Sequence, residues 1–133
     1  MLDGLSHITL AVKDIDRSFD FYVNLLEMKP CVRWDYGAYL VLGDLWFCLS
    51  LDDEVATSTD YTHIAFAVAK DNFTDISERL LNADVTVWKE NKSEGDSLYF
   101  LDPDGHKLEV HAGSLSSRLE ALKKKSYPGL VWC

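Results

Sequence analysis

The sequence predicts an α+β chain built from two βαβββ modules, and three observations predict it. A strand-like stretch, His7 to Val12 followed by Lys13 and Asp14, returns as His63 to Val68 with Lys70 and Asp71 close behind. Each copy leads into a stretch with apolar residues at helical spacing. After each of those come three short runs rich in β-branched and aromatic residues. Neither module could cover both faces of its own sheet, so the modules are expected to pair.

In the first module the helix is expected over 15–26, where Phe19, Tyr22, Leu25 and Leu26 share a face. Asp16 is the expected cap and Pro30 the expected stop. Strands are expected over 31–34, 38–42 and 45–50, divided at Gly37 and Gly43. In the second module Phe73, Ile76, Leu80 and Leu81 mark a helix over 72–83 with Asp71 as its cap. Strands follow over 85–89, 97–101 and 107–112. The last two are joined by Asp102, Pro103, Asp104 and Gly105, residue types that favour a tight turn. The modules thus run about 4–51 and 61–113, within one domain of 1–133. The acidic stretch 52–60 connects them. A last helix is expected over 115–125; its Lys123, Lys124 and Lys125 read as a solvated face.

With 133 residues, 47% of them apolar, the chain can bury one core. No apolar run approaches the length of a membrane span, and the first residues lack a basic-then-apolar signal. Cys31, Cys48 and Cys133 are odd in number and far apart, which fits free thiols in a reducing cytoplasm and no disulfide framework. A net charge of −9 argues against nucleic-acid binding. It leaves room for a small anion held where a few cations gather.

His7 and His63 hold the same place in the two repeats, so a pseudo-twofold pairing would bring them together. Glu109 lies in the last strand of module two, with Lys107 and His111 on its face by alternation. Two imidazoles and a carboxylate make a three-ligand site with open positions, suited to zinc, manganese or ferrous iron. The corresponding strand of module one carries Trp46, Phe47 and Cys48 and no carboxylate, which leaves a coordination position for a substrate oxygen.

This arrangement resembles the vicinal oxygen chelate superfamily, which includes glyoxalases, dioxygenases and thiol transferases. Within it the chain is similar over nearly its whole length to the fosfomycin-resistance glutathione transferases (the FosA family). The residues carrying that likeness are Gly4 to Val12, Gly37 to Leu40, Asp44 to Ser50, Asp60 to His63, Trp88 to Ser97 and Tyr99 to Glu109. Asp102 to His106 is common across the superfamily; the loop Asn91 to Gly95, taken with Thr9, Trp46 and Arg118, is far more specific.

The resemblance implies a Mn2+-dependent enzyme of the cytoplasm that opens the epoxide of fosfomycin with the thiol of glutathione. It implies a module-swapped homodimer, with manganese held by His7 of one subunit and by His63 and Glu109 of the other. A potassium ion (K+) would sit among Asn91, Ser93, Glu94, Gly95 and Ser97. Lys89, Ser93, Ser97, Tyr99 and Arg118 would surround the phosphonate, chemistry that suits cations and hydroxyls. Read without the family, Arg118 is equally a surface salt bridge. Trp46 would wall the epoxide carbons, Thr9 would hydrogen-bond near the epoxide oxygen, and Tyr39 would contact the thiol.

Tyr36 stands where many relatives have a small or amide residue, and the 52–60 connector looks short; both bear on thiol affinity. The competing expectations are an enzyme of the same kind using another thiol or water, and a drug-binding protein without catalysis. A glyoxalase-like isomerase is disfavoured because the Trp46–Cys48 strand has no second carboxylate to act as base.

Overall fold

A computed structural model describes residues 1–133 and divides the chain into two compact units. The first is Met1–Tyr61 together with Asp102–His106; the second is Thr62–Leu101 together with Lys107–Cys133. Each contains one four-stranded sheet, as an α+β chain of two βαβββ modules requires.

In unit 1 the order along the chain is β1 (His7–Val12), α1 (Ile15–Asp20), a π-helical turn (Phe21–Leu25), β2 (Lys29–Trp34), β3 (Gly37–Leu42) and β4 (Leu45–Leu51). The sheet order is β1-β4-β3-β2, with β1 parallel to β4 and the other pairs antiparallel. The helix carries the chain from one edge to the other, and three antiparallel strands then return to the first. α1 packs on β4 and β3. The face it covers holds Leu10, Val12, Ala38, Leu40, Phe47 and Leu49, all buried, with Tyr22 and Met28. Burial of a Phe or Leu side chain stabilises the fold by about 1.5–3 kcal/mol.

The ends of this helix differ from the sequence expectation. The cap is Asp14, whose carboxylate accepts from the Arg17 amide; Asp16 lies in the first turn and pairs with Arg33. Asp14 rather than Asp16 has the extended backbone that a capping residue needs (φ −144°, ψ 109°). Pro30 is not the stop, because the helical stretch ends before Glu27, at φ +60°, and Pro30 falls in β2 beside a bulge. β2 is an edge strand, where a missing N–H is tolerated.

Unit 2 runs β5 (Ile64–Ala67), a 3₁₀ turn (Lys70–Asn72), α2 (Phe73–Asn82), β6 (Val87–Lys89), β7 (Asp96–Leu101), β8 (Lys107–Ala112) and α3 (Leu115–Lys124). Its sheet order, β5-β8-β7-β6, repeats the first, again with the outer pair parallel. Phe66, Leu80, Phe100, Leu108 and Val110 form its core. Asp71 belongs to the 3₁₀ turn and does not cap α2, whose Ncap residue Asn72 makes no side-chain cap bond. α3 opens on a reciprocal Ser114–Ser117 capping box. No helix is long and apolar enough to cross a membrane.

The turn Asp102–His106 does more than reverse the chain. Asp102 is buried and accepts from the Tyr22 hydroxyl at 2.6 Å and from the amides of Asp104 and His106. Asp104 receives the Lys13 amide and the Arg17 guanidinium, each at 3.0 Å, and the Ser18 hydroxyl at 3.3 Å. His106 Nε2 donates to the Ala11 carbonyl at 2.7 Å. Burial raises the Asp102 carboxyl above the ordinary aspartate range, and the Tyr22 hydrogen bond works the other way. Burial, then the Asp102 charge, pushes the Tyr22 hydroxyl well above its usual value.

Candidate functional site

Alternation puts His7 and Thr9 on the face of the unit 1 sheet that α1 does not cover. His7 pairs across the ladder with Trp46, and their rings lie 4.5 Å apart. Trp46 meets Tyr39 edge-on at 5.2 Å, and Tyr39 meets Trp34 at 5.0 Å. The result is an aromatic row ending in an imidazole, with Thr9 exposed beside it. Ser6 Oγ lies 3.0 Å from His7 Nδ1. When Nδ1 carries the proton and donates it to that hydroxyl, Nε2 keeps its lone pair for a ligand.

A second cluster of polar side chains belongs to unit 2. Glu109, in β8, is only 6% exposed, and an unpaired carboxylate so deep would cost several kcal/mol. It is not unpaired. His63, just before β5, sets Nε2 3.0 Å from Oε1, and Ser97 Oγ donates to Oε2 at 2.7 Å. His111 Nδ1 is 2.6 Å from the same serine oxygen. Trp88 and Tyr99 stand edge-on to the His63 ring at 5.6 and 6.0 Å. Trp88 is anchored through Nε1 to the carbonyls of Phe100 and Leu108. The Lys89 ammonium sits 4.8 Å above the Tyr99 ring.

The loop before β7 is folded on its own side chains. Asn91 donates to the Gly95 carbonyl at 2.7 Å and accepts from the Ser93 amide and hydroxyl. Gly95, at φ +82°, supplies a backbone turn that a side chain would strain. Arg118 on α3 reaches this loop, with Nε on Glu94 Oε2 and a terminal nitrogen on the Glu94 carbonyl, each at 3.2 Å. The same terminal nitrogen lies 3.4 Å from Ser93 Oγ. Arg118 therefore clamps the loop by a salt bridge to Glu94.

The residues expected from sequence fall into three sets. His63, Glu109, Ser97, Tyr99 and Lys89 gather on one face of the unit 2 sheet. Asn91, Ser93, Glu94, Gly95 and Arg118 form the adjoining loop clamp. His7, Thr9, Trp46 and Tyr39 share the open face of unit 1. Sequence reasoning did not anticipate that Ser97 binds Glu109, nor the parts of Trp88 and Ser6. Alternation had placed His111 on the Glu109 face, and its spacing from Ser97 becomes visible only through the β7–β8 register.

The donors of His63 and Glu109 suit a divalent metal. Two ligands at right angles, each about 2.1 Å from one ion, stand about 3.0 Å apart, and that is the His63–Glu109 separation. No group of three or more His, Cys, Asp or Glu side chains in the chain is arranged to hold a metal. The loop oxygens of Asn91, Ser93 and Glu94 suit a harder monovalent cation.

Comparison with known proteins identifies the family and the fold. Residues 4–110 match the family model for the glyoxalase/bleomycin resistance protein/dioxygenase superfamily. The chain is 53% identical to the glutathione transferase FosA of Serratia marcescens over 99% of this chain and 96% of that one. It is 35% identical to the metallothiol transferase FosB of Shouchella clausii, over 98% and 94%. Among solved structures it is similar to a mutant of the fosfomycin resistance protein FosX of Listeria monocytogenes complexed with Mn(II) and dihydroxypropylphosphonic acid. That match has a TM-score of 0.80 and 32% identity, covering 90% of this chain and 99% of the other.

Proposed function

The chain belongs to the glyoxalase/bleomycin resistance protein/dioxygenase superfamily and, within it, to the FosA-like transferases, and from that premise we propose that it is a fosfomycin:glutathione transferase acting as a homodimer. One observation carries the reading: the buried Glu109 carboxylate, faced by His63 on one oxygen, beside the Lys89–Tyr99 pair. It is a metal half-site next to a cationic place for an anion. His63 and Glu109 would hold Mn2+ together with a His7 supplied by a second copy of the chain, and the loop of Asn91, Ser93, Glu94, Gly95 and Ser97 would hold K+. Bound there, a divalent ion would supply Lewis acidity to offset the charge developing on the epoxide oxygen.

The protein groups do the rest. Lys89, Arg118, Ser93 and Tyr99 bind the phosphonate with charge-assisted hydrogen bonds; Ser97 borders it. Thr9 donates toward the epoxide oxygen as the carbon–oxygen bond breaks. Trp46 excludes water from the carbon under attack. Glutathione sulfur forms the new bond to that carbon, and the thiol proton ends on the former epoxide oxygen as a hydroxyl. A free thiol is mostly protonated at neutral pH, and Tyr39 contacts it so that the thiolate is favoured.

The test is fosfomycin consumption by metal-stripped protein with glutathione, before and after Mn2+ and K+ are added. A large Mn2+-dependent rate yielding the glutathione adduct is expected. An adduct only with another thiol, or a diol without any, would keep the site and replace the nucleophile. No turnover with any of them would overturn the enzymatic reading.

A further inference from the structure

His111 is a polar residue to which neither the fold nor the proposed chemistry gives a part, yet its surroundings are unusually exacting. A Cβ on Gly95 would come within 2.8 Å of its Cε1, and a Cβ on Gly113 within 2.5 Å of its Nε2. The ring is thus held between two positions that only glycine can occupy without something shifting. Its Nδ1 is aimed at Ser97 Oγ, 2.6 Å away, and Ser97 Oγ is 2.7 Å from Glu109 Oε2. Nδ1 itself lies 3.4 Å from that carboxylate oxygen, so the serine is the shorter link.

Proton counting sets the direction of this chain. An ionised carboxylate only accepts, so the single Ser97 proton goes to Glu109. The serine oxygen must then receive a proton from His111, which places the imidazole hydrogen on Nδ1. We infer that His111 and Ser97 form a positioning pair for Glu109: the imidazole fixes the hydroxyl as a donor, and the hydroxyl fixes Oε2, so that Oε1 remains turned toward His63. The inference rests on Glu109 being a metal ligand, as proposed above, and it assigns Ser97 a task apart from the phosphonate and K+. Partners of this kind orient a ligating carboxylate, and their loss typically weakens metal binding about 10–100-fold.

Three measurements test it. In metal-free wild-type protein, the imidazole nitrogen spectrum should show His111 as the Nδ1–H tautomer. An Nε2–H tautomer would overturn the relay whatever the protein does with metals. Mn2+ affinity, titrated directly by the loss of the free-ion paramagnetic resonance signal, should fall about tenfold in His111→Leu. His111→Asn, whose amide nitrogen reaches the place of Nδ1, should bind nearly as wild type, whereas His111→Gln, whose amide reaches that of Nε2, should not. Unchanged affinity in His111→Leu, or an equal loss in the Asn variant, would overturn the inference.

Finally, Ser97→Ala with His111→Leu should bind Mn2+ no more weakly than Ser97→Ala alone; additive losses would overturn a shared path. Should Leu not be accommodated between the glycines, Ser97→Ala removes the same link without touching the packed ring. Wild-type protein with the Nδ1–H tautomer but no Mn2+ binding would support the relay and overturn the metal reading instead.

Discussion

The two sheets have the same order and the same parallel closing pair, yet what they present differs at several positions of the open face. Aligned on His7 and His63, Thr9 corresponds to Ala65, and their ladder partners are Cys48 and Glu109. One strand further on, Tyr39 pairs with Cys48 as Tyr99 pairs with Glu109, and Gly37 opposes Ser50 as Ser97 opposes His111. Toward the helices, by contrast, like matches like: Phe47 with Leu108, Leu49 with Val110, Leu40 with Phe100. The repeat preserves apolar character where packing demands it and diverges on the open face.

The Cys48–Glu109 contrast is the most telling. Both positions are closed to water, at 5% and 6% exposure. A thiol is at home there, whereas a carboxylate requires His63 and Ser97 to face it. Module one thus presents an aromatic row and one imidazole on its open face, and module two presents charged groups.

The largest expected effect comes from erasing that difference. Glu109→Cys makes module two a copy of module one at this point; it should abolish Mn2+ binding and lower fosfomycin turnover by about a thousandfold or more, several kcal/mol in the barrier. Steady-state kinetics beside a metal titration would read it, and retained activity would break the comparison.

Next comes the turn that only module two owns. Asp102→Ala leaves the buried Tyr22 hydroxyl and two turn amides without their acceptor. It should cost about 2–4 kcal/mol in denaturant unfolding. The pH dependence sharpens this. Because burial raises the Asp102 carboxyl in the folded state, the native form binds the proton more tightly than the unfolded one. Its contribution is therefore most favourable below the ordinary aspartate range, and is lost as pH rises through the raised native value. Asp102→Asn cannot titrate, so the stability of wild type relative to it should decline across that window; a constant difference would contradict the assignment.

The smallest effect is expected at the aromatic wall. Trp46→Ala removes a half-exposed apolar contact, about 1.5 kcal/mol, and should raise the KM for fosfomycin about tenfold. The fold should be unaffected, as judged by the thermal midpoint.

Much of this was legible in the chain itself. A repeated histidine, two helical periodicities and alternating runs are local signals, and they located eight strands; strand β8 has the expected bounds, 107–112. Helix ends were less legible, since Asp14 and Asp16 are both plausible caps until the backbone dihedrals select one. Composition could mark Asp102 to Gly105 as a turn, but not that it would be bound into unit 1 through Tyr22, Arg17 and Ala11. Nor could it say that the Ser97 hydroxyl, expected at the phosphonate and K+, would be committed to Glu109 and His111. Periodicity records which face a side chain takes, because that depends on its own strand. Which group it meets there depends on strand pairing and register between distant segments, and only the tertiary structure decides that.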